Sequence, residues 1–381
     1  MSPVERRPHT PNPEHLRIGL FCAYPMNVPG GVQEHVRHCA SYFREQGHEV
    51  LIFCPEWGDT QDLDKDTILL GKGKRFGVEG TNAIVCPYPV GLNPYGLHIE
   101  QFHEVEVSLP GLEYLLFSKA HLKIITFHTV QAKRWRYLPS MALVPICHRS
   151  IDVKTAVSKA SLKFAKQFYP GKYTIIPNGV DTSFFSPEGP KIEQFVDDKV
   201  NLLYVGRLEA RKSVDNLIRA YAIVKAQNPN VRLIIVGSGP LEADLHHLVQ
   251  DLNLADVHFT GRVEKETLPK YYRTAHIFCS LPPNCESFGI VLLEAMSAGK
   301  PIVAGNNIGY RGVISQGVNG VLVEPNPYEV AYRLNELIND EALRNRMGHN
   351  GRITALGYDW QKVGQLYLNL YHEKLREKGA I

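Results

Sequence analysis

Apolar runs of strand length recur along the chain, and segments of helical periodicity lie between them. His15–Tyr24 (HLRIGLFCAY) reads as a first strand. Val32–Gly47 reads as a helix, because Val32, Val36, Cys39, Ala40 and Phe43 share one face and Gly47 follows its end. His48–Pro55, Asn82–Pro89 and Lys123–Thr129 are further strand-length runs, and IDVKTAVS and YTIIPNG complete the first half. Strands alternating with helices predict a parallel sheet covered on both faces.

The pattern then restarts. Phe185–Lys199 is polar and carries Pro and Gly, as a linker would. Val200–Gly206 opens a second series, followed by the helical SVDNLIRAYAIVKAQ with Ser213 at its cap. VRLIIVGSG, VHFTGRV, AHIFCS, PIVAG and GVLVE are the later strands. The fold class predicted is α/β, with two doubly wound, Rossmann-like domains. A disordered tail covers 1–15, the first domain 16–185 and the second 186–359, and the final helix, 360–381, crosses back onto the first domain. Ligands in such sheets bind beyond the carboxyl ends of the strands, which puts the expected site in a cleft between the domains.

Composition narrows the function classes. A length of 381 residues suits two domains, and a net charge of +3 is too small to argue for nucleic acid. No run approaches the ~18 apolar residues of a membrane span. MSPVERRPHTPNPEH lacks the apolar core of a secretory signal. The seven cysteines form no CxxC pair and sit beside apolar runs, as reduced core thiols do. The expected location is cytoplasmic.

Three glycine-rich turns follow strands. In MNVPGGVQEHV, Gly30 and Gly31 precede a helix, where a backbone can approach a charged ligand. In YVGRLEARKSVDN, Arg207, Arg211 and Lys212 follow the strand-end Gly206, and such a cluster suits a departing diphosphate. VGSGPLEADL places Gly237 and Gly239 after a strand but has Glu242 where a dinucleotide fingerprint has its last glycine. In CESFGIVLLEAMSAGKP, Ser287 is read as an N-cap, with Glu286 just outside the helix and Glu294 eight residues further on. The two acids cannot share a proton. They would instead meet two parts of one long polar ligand, such as a sugar–diphosphate–nucleoside.

ESFGIVLLEAMSAGKPIVA, together with PGGVQEHV, TFHT, IPNGVD, VGRLEARKS and VGSGP, resembles the signature of the family 4 glycosyltransferases, retaining enzymes of GT-B fold. Within that family the likeness is strongest to the branch that mannosylates phosphatidylinositol, through AYPMNVPGGVQEHV and TFHTVQAK. The resemblance implies roles. Gly31, with Gly30 shaping the turn, would lie against the donor phosphates, and Arg207 and Lys212 would hold the diphosphate. Glu286 would bind sugar hydroxyls and Glu294 the ribose, with Ser287, Phe288 and Gly289 completing the donor loop. His128 would sit at the reaction centre. Tyr24, Gln33, Thr129 and Lys133 would face the acceptor. The leaving diphosphate would itself take the acceptor proton, with no nucleophile and no metal or other cofactor. The nucleotide-sugar enters as a substrate.

The activity expected is transfer of a hexose, mannose from GDP-mannose, to a hydroxyl acceptor of the phosphatidylinositol type. A soluble sugar or another glycolipid is the alternative acceptor. A nucleotide-sugar epimerase of the same fold and a non-catalytic binder are the alternatives in other classes. Two departures from the inositol-lipid branch stand out. Asn27 occupies the place of an acid, and only eight residues (GLNPYGLH) separate PYPV from IEQFHE, where that branch has a longer basic insertion. Gln131–Ser150 mixes Lys133, Arg134 and Arg136 with Trp135 and Tyr137, which suits either peripheral contact with an anionic membrane face or a plain amphipathic helix. Three motifs are set aside. Asp62 and Asp64 form a DxD in a polar loop, His98 and His103 lack metal-ligand spacing, and GKGKRFG does not match a P-loop.

Overall fold

The computed structural model describes residues 10–78, 81–87, 91, 95–104, 109–130, 144–284 and 286–381. Lys133, most of the basic and aromatic segment after it, and residues 1–9 of the tail lie outside the described residues.

The chain divides into two units, residues 1–178 with 360–381, and residues 179–359. The division falls before the linker read from sequence, because the residues after Asn178 are tied to the second unit. Val180 bridges to Asp359. Arg352 donates to the Thr182 carbonyl at 2.8 Å, and Arg273 donates to the carbonyls of Phe184 and Ser186, both at 3.0 Å.

The first unit contains β1 (Arg17–Cys22), α1 (Gly31–Glu45), β2 (Glu49–Glu56), β3 (Thr67–Lys72), β4 (Lys74–Val78), β5 (Thr81–Val85), β6 (Ile99–His103), α2 (Leu109–Phe117), β7 (Leu122–Phe127), α3 (Val144–Ser150), β8 (Val153–Ala156), α4 (Lys159–Ala165) and β9 (Thr174–Ile175). Seven strands form one parallel sheet in the order β3-β2-β1-β6-β7-β8-β9. The run Asn82–Pro89 does not join it. Its β5 portion pairs antiparallel with β4, inside the GKGKRFG stretch, as a separate hairpin. The sheet place beside β1 goes instead to β6, whose letters IEQFH look polar but which is buried throughout.

Partners explain that burial. The Gln101 amide donates to Thr126 Oγ1 at 2.8 Å, and its carbonyl accepts from Tyr371 Oη. Ser118 donates to the Glu100 carboxylate.

The second unit holds β10 (Val200–Val205), α5 (Val214–Gln227), β11 (Val231–Val236), α6 (Glu242–Asp251), β12 (Val257–Gly261), α7 (Leu268–Thr274), β13 (Ile277–Ser280), α8 (Ile290–Ser297), β14 (Ile302–Gly305), β15 (Gly320–Val323), α9 (Pro327–Asn339) and α10 (Glu341–Leu356). Its sheet is parallel in the order β12-β11-β10-β13-β14-β15. β11 is buried along its whole length and reads VRLIIV, as a strand covered on both faces should.

The last helix, α11 (Trp360–Glu377), belongs to the first unit. Trp360, Val363, Tyr367, Leu368, Tyr371 and Leu375 are buried at helical spacing, in one core with Val36 and Phe43 of α1. Each such burial contributes about 1.5–3 kcal/mol. Gly364 lies against the Tyr42 ring, where any Cβ would overlap it.

Candidate functional site

In each unit the strand order reverses once, between β10 and β13 and between β1 and β6. Chains leaving the carboxyl ends at such a point diverge and open a crevice. Gly30 and Gly31, and Arg207, Lys212 and Glu286, lie on loops at these two points, and His128 and Thr129 on the loop after the adjoining strand β7.

In the second unit, β10 ends at Val205 and passes through Gly206 into the turn carrying Arg207, Glu209, Arg211 and Lys212. The carboxylate of Glu286, beyond β13, accepts from both Arg211 Nη1 at 2.8 Å and Lys212 Nζ at 2.5 Å, and both bonds fall on Oε1. Behind them, Arg211 Nε sits 2.6 Å from Oε1 of Glu209, whose side chain is 1% exposed. Two acids and two cations thus interlock in the order Glu209, Arg211, Glu286, Lys212. Burial opposes the charge on Arg211, but the Glu286 and Glu209 carboxylates outweigh it and hold the guanidinium above its ordinary pKa. Arg207 reaches outward, half exposed, 3.7 Å from Glu209.

Glycines let these loops close. Gly237 has φ +132°, and a Cβ there would overlap the Gly206 carbonyl oxygen. A Cβ on Gly239 would collide with the Leu208 backbone. Leu208 N–H in turn donates to Ser238 O at 3.1 Å. The two glycines of VGSGP therefore allow close packing of the β11 turn on the β10 turn.

The reading of Ser287 as an N-cap is corrected. The helix starts at Ile290, and its N-cap is Gly289, with φ +92° and no side-chain bond. The loop bends at Ser287 and Phe288 and enters the helix only after Gly289, packed against the next loop. A Cβ on Gly309 would overlap the Glu286 carbonyl oxygen, and Gly289 lies against the Tyr310 ring. Phe288 is buried, edge-on to Tyr358 at 5.9 Å. Glu294 lies within α8, partly buried, and accepts from Tyr272 Oη at 2.6 Å. It is not part of the Glu286 cluster. Ser213 occupies the N-cap of α5 in a left-handed conformation (φ 51°), but its side chain makes no capping bond.

In the first unit, Gly30 is the N-cap of α1 and Gly31 its exposed first residue. Gln33 is buried and donates to the Pro25 carbonyl at 3.4 Å, bracing the glycine turn, and Tyr24 is partly buried in the same loop. The Asn27 amide donates to the carbonyls of Trp57 and Asp59 at 2.5 and 2.6 Å. An ionised acid, which only accepts, could not make these bonds.

His128 and Thr129 follow β7. Their backbone N–H groups both donate to Oε1 of buried Glu104, at 2.5 and 2.7 Å. The His128 ring does not stand alone. His103, set aside in the sequence, lies 2.9 Å away (Nδ1 to His128 Nε2), and His35 of α1 packs edge-on against it at 4.8 Å between centroids. Burial, and then the neighbouring rings, push the pKa values of His128 and His103 well below the ordinary imidazole range. Burial lowers His35 to about 4, against the bond its Nδ1–H donates to Asn178 Oδ1.

The three rings offer one nitrogen each within 4.8 Å, so His103 does have neighbours of a metal-ligand type, brought from separate elements. As they stand, His35 is engaged by Asn178 at 2.8 Å and Tyr367 at 3.3 Å, and the other two by each other. Asp64 of the DxD pairs with Arg44.

Sequence reading missed His35, Glu104 and Glu209, set His103 aside, and grouped Arg211 with the diphosphate cations without its pairing to Glu209 and Glu286. No local signal marked His103 and Glu104, because the strand that ends at His103 has neither the apolarity nor the alternation that made β7 readable.

Residues 29–184 match the family described as Glycosyltransferase Family 4, and residues 186–354 match Glycosyl transferases group 1. The chain is 30% identical over 364 residues to phosphatidyl-myo-inositol mannosyltransferase of Mycolicibacterium smegmatis, covering 93% of each protein. A D-inositol 3-phosphate glycosyltransferase of Paenarthrobacter aurescens is 32% identical over 210 residues, 52% of this chain and 51% of that one. Among solved structures, HepE of Anabaena in complex with UDP and glucose aligns with a TM-score of 0.76 at 20% identity, covering 94% of this chain and 100% of that one. Sucrose-phosphate synthase of Thermosynechococcus elongatus aligns with a TM-score of 0.74 at 20% identity, covering 95% and 100%.

Proposed function

The chain belongs to the family 4 glycosyltransferases and has their GT-B fold, and we propose that it transfers mannose from GDP-mannose, with retention, to a hydroxyl of a phosphatidylinositol-type lipid. The carrying observation is the convergence of Arg211 and Lys212 on one oxygen of Glu286 at the switch point of the second sheet. Cations at that place match a diphosphate, and a carboxylate beside them matches sugar hydroxyls. Near full-length similarity to mannosyltransferases named for phosphatidyl-myo-inositol supports the sugar and the acceptor.

In the proposed reaction the acceptor oxygen attacks C1 of the sugar on the face the diphosphate leaves. The C1–O bond to phosphate breaks, and the acceptor proton passes to the departing phosphate oxygen. Lys212 and Arg207 stabilise the charge that develops there, the kind of contact worth about 10²–10³ in rate. In this reading the two cations do the work a metal ion would otherwise do. Glu286 holds the sugar, Glu294 the ribose, and Gly31 lets the backbone approach the phosphates. His128 is assigned to the transferred sugar, and Tyr24, Gln33, Thr129 and Lys133 to the acceptor.

Among the described residues no helix is long and apolar enough to cross a membrane. Contact with a lipid acceptor is therefore proposed as peripheral, at the cytoplasmic face.

Similarity to the inositol-phosphate glycosyltransferase favours a second reading, with a soluble inositol phosphate as acceptor. The test is incubation with GDP-mannose and vesicles containing phosphatidylinositol, with the product's anomeric configuration read by NMR and a chelator added in parallel. A mannosylated lipid with the donor's configuration, formed at the same rate with chelator, is expected. Transfer to inositol phosphate alone would select the second reading. Thermal stabilisation by UDP-sugars but not GDP-mannose would remove the donor assignment. A ligand at 100 times its Kd stabilises by about 2.7 kcal/mol, which is readily seen.

A further inference from the structure

We propose that His103 and Glu104, at the end of β6, are positioning residues for His128: the first fixes its ring tautomer and the second the backbone that carries it. This rests on the reading that places His128 at the transferred sugar.

β6 and β7 are parallel neighbours, with His103 opposite Thr126, so the two strand ends deliver His103 and His128 side by side. One proton lies between His103 Nδ1 and His128 Nε2, which are 2.9 Å apart. Burial keeps both rings neutral. The remaining nitrogen of His103, Nε2, is buried with no partner among the described residues.

Two arrangements are open. If His128 donates from Nε2, then His103 must carry its own hydrogen on Nε2, leaving a buried N–H without an acceptor. If His103 donates from Nδ1, its Nε2 is only a bare lone pair. Orphaned buried donors are the rarer and costlier defect. The second arrangement is therefore favoured, and it leaves His128 with its hydrogen on Nδ1. Which nitrogen of a histidine is protonated follows from the bond the other one makes.

Glu104 acts on the same residue through the main chain. It sits just past the strand at φ 56°, and one carboxylate oxygen receives the N–H groups of both His128 and Thr129. Two successive amides held by one buried carboxylate fix the peptide between them. His35 packs edge-on against the ring and is itself held by Asn178 and Tyr367.

The test uses the full chain labelled with ¹⁵N-histidine. Long-range ¹H–¹⁵N spectra should show His128 protonated on Nδ1 and unprotonated on Nε2. In His103→Phe this pattern should give way to a tautomer mixture. Turnover should fall roughly tenfold or more, as when a catalytic imidazole loses its tautomer, while KM for GDP-mannose stays within about twofold. His103→Asn, which keeps a donor near the Nδ1 position, should recover most of the turnover, and a fold defect in His103→Phe would be recognised by that contrast. Glu104→Gln, which retains one acceptor oxygen, should lose less turnover than Glu104→Ala.

A wild-type His128 protonated on Nε2 would overturn the proposal without any variant. So would an unchanged turnover in His103→Phe where His128→Ala is inactive. If His128→Ala itself turns over normally, the reading of His128 at the sugar fails, and with it the catalytic purpose of the positioning, whereas the tautomer spectrum still reports whether His103 sets the ring.

Discussion

Glu286 is where residue chemistry and function meet most closely. Its Oε1 accepts two cations that a diphosphate would otherwise attract. Removing the charge while keeping the shape separates the two roles. Glu286→Gln should lower transfer by about 10- to 100-fold, the range for hydrogen bonds to charged groups. GDP affinity should stay the same or tighten, because Arg211 and Lys212 lose a competing anion. Steady-state kinetics and calorimetry with GDP check this. Full turnover, or a matching loss of GDP affinity, would sink the assigned role. At this scale the sequence singled out residues by type, as with Lys212 and Glu286, and the structure brings these two together. It was not legible for Ser287, which looks like a cap but is held out of the helix by the close approach of Gly309 and Tyr310. Nor was it legible for Asn27, whose two donor bonds reach residues about thirty positions away.

Elements depend on how closely their turns can approach. The VGSGP turn reads in sequence as an incomplete dinucleotide fingerprint, yet its glycines serve to pack one strand-end turn on another. Gly237→Ala meets both a positive φ and the Gly206 carbonyl. Strain of this kind costs about 1–3 kcal/mol before any steric overlap is counted. The variant should therefore show a lowered Tm and weaker GDP binding, since the displaced turn carries Arg207 and Lys212. A Tm equal to wild type in differential scanning calorimetry would contradict the packing argument. β6 was the element least visible in sequence. Alternation and apolarity are the usual signals of a strand, and IEQFH has neither, because Thr126, Ser118 and Tyr371 satisfy its polar groups in the core. The hairpin of β4 and β5 was hidden for the opposite reason, since an apolar run does not say which partner it pairs with.

Across the whole molecule, buried histidines link both units to pH. His48 and His98 accept the backbone N–H groups of Leu16 and Arg17 at the start of β1, at 3.2 and 3.0 Å. His276 accepts that of Asn201 at the start of β10, at 2.9 Å. A protonated ring could not accept. Burial lowers each of these to about 4, as it does His35. Groups with folded values depressed from 6.5 contribute stability that is present above 6.5 and lost as pH falls toward 4. Each contributes at most about 1.4 kcal/mol per pH unit, and less where the ring is partly hydrated. Glu100 runs the other way: burial raises it to about 7, so its contribution is present below 4.5 and lost as pH rises through 7. Four histidines outweigh one acid, so the Tm should fall steadily from pH 6.5 to 4.5, which scanning calorimetry across that range checks. A flat profile would show that these rings are protonated in the folded protein.

By itself the sequence determined the alternation of strands and helices, the restart after the linker, the strand-end placement of Arg207, Lys212 and His128, and the place of Glu286 just ahead of a helix. These follow from periodicity and from residue type, which are local properties of the chain. Only the tertiary structure decided that Arg211 and Glu209 brace Glu286, that β6 rather than the Asn82–Pro89 run pairs with β1, and that His35, His103 and His128 meet. Those outcomes are set by contacts between residues far apart in sequence. A buried polar side chain is tolerable only when such a partner arrives, and nothing in its own segment says that one will.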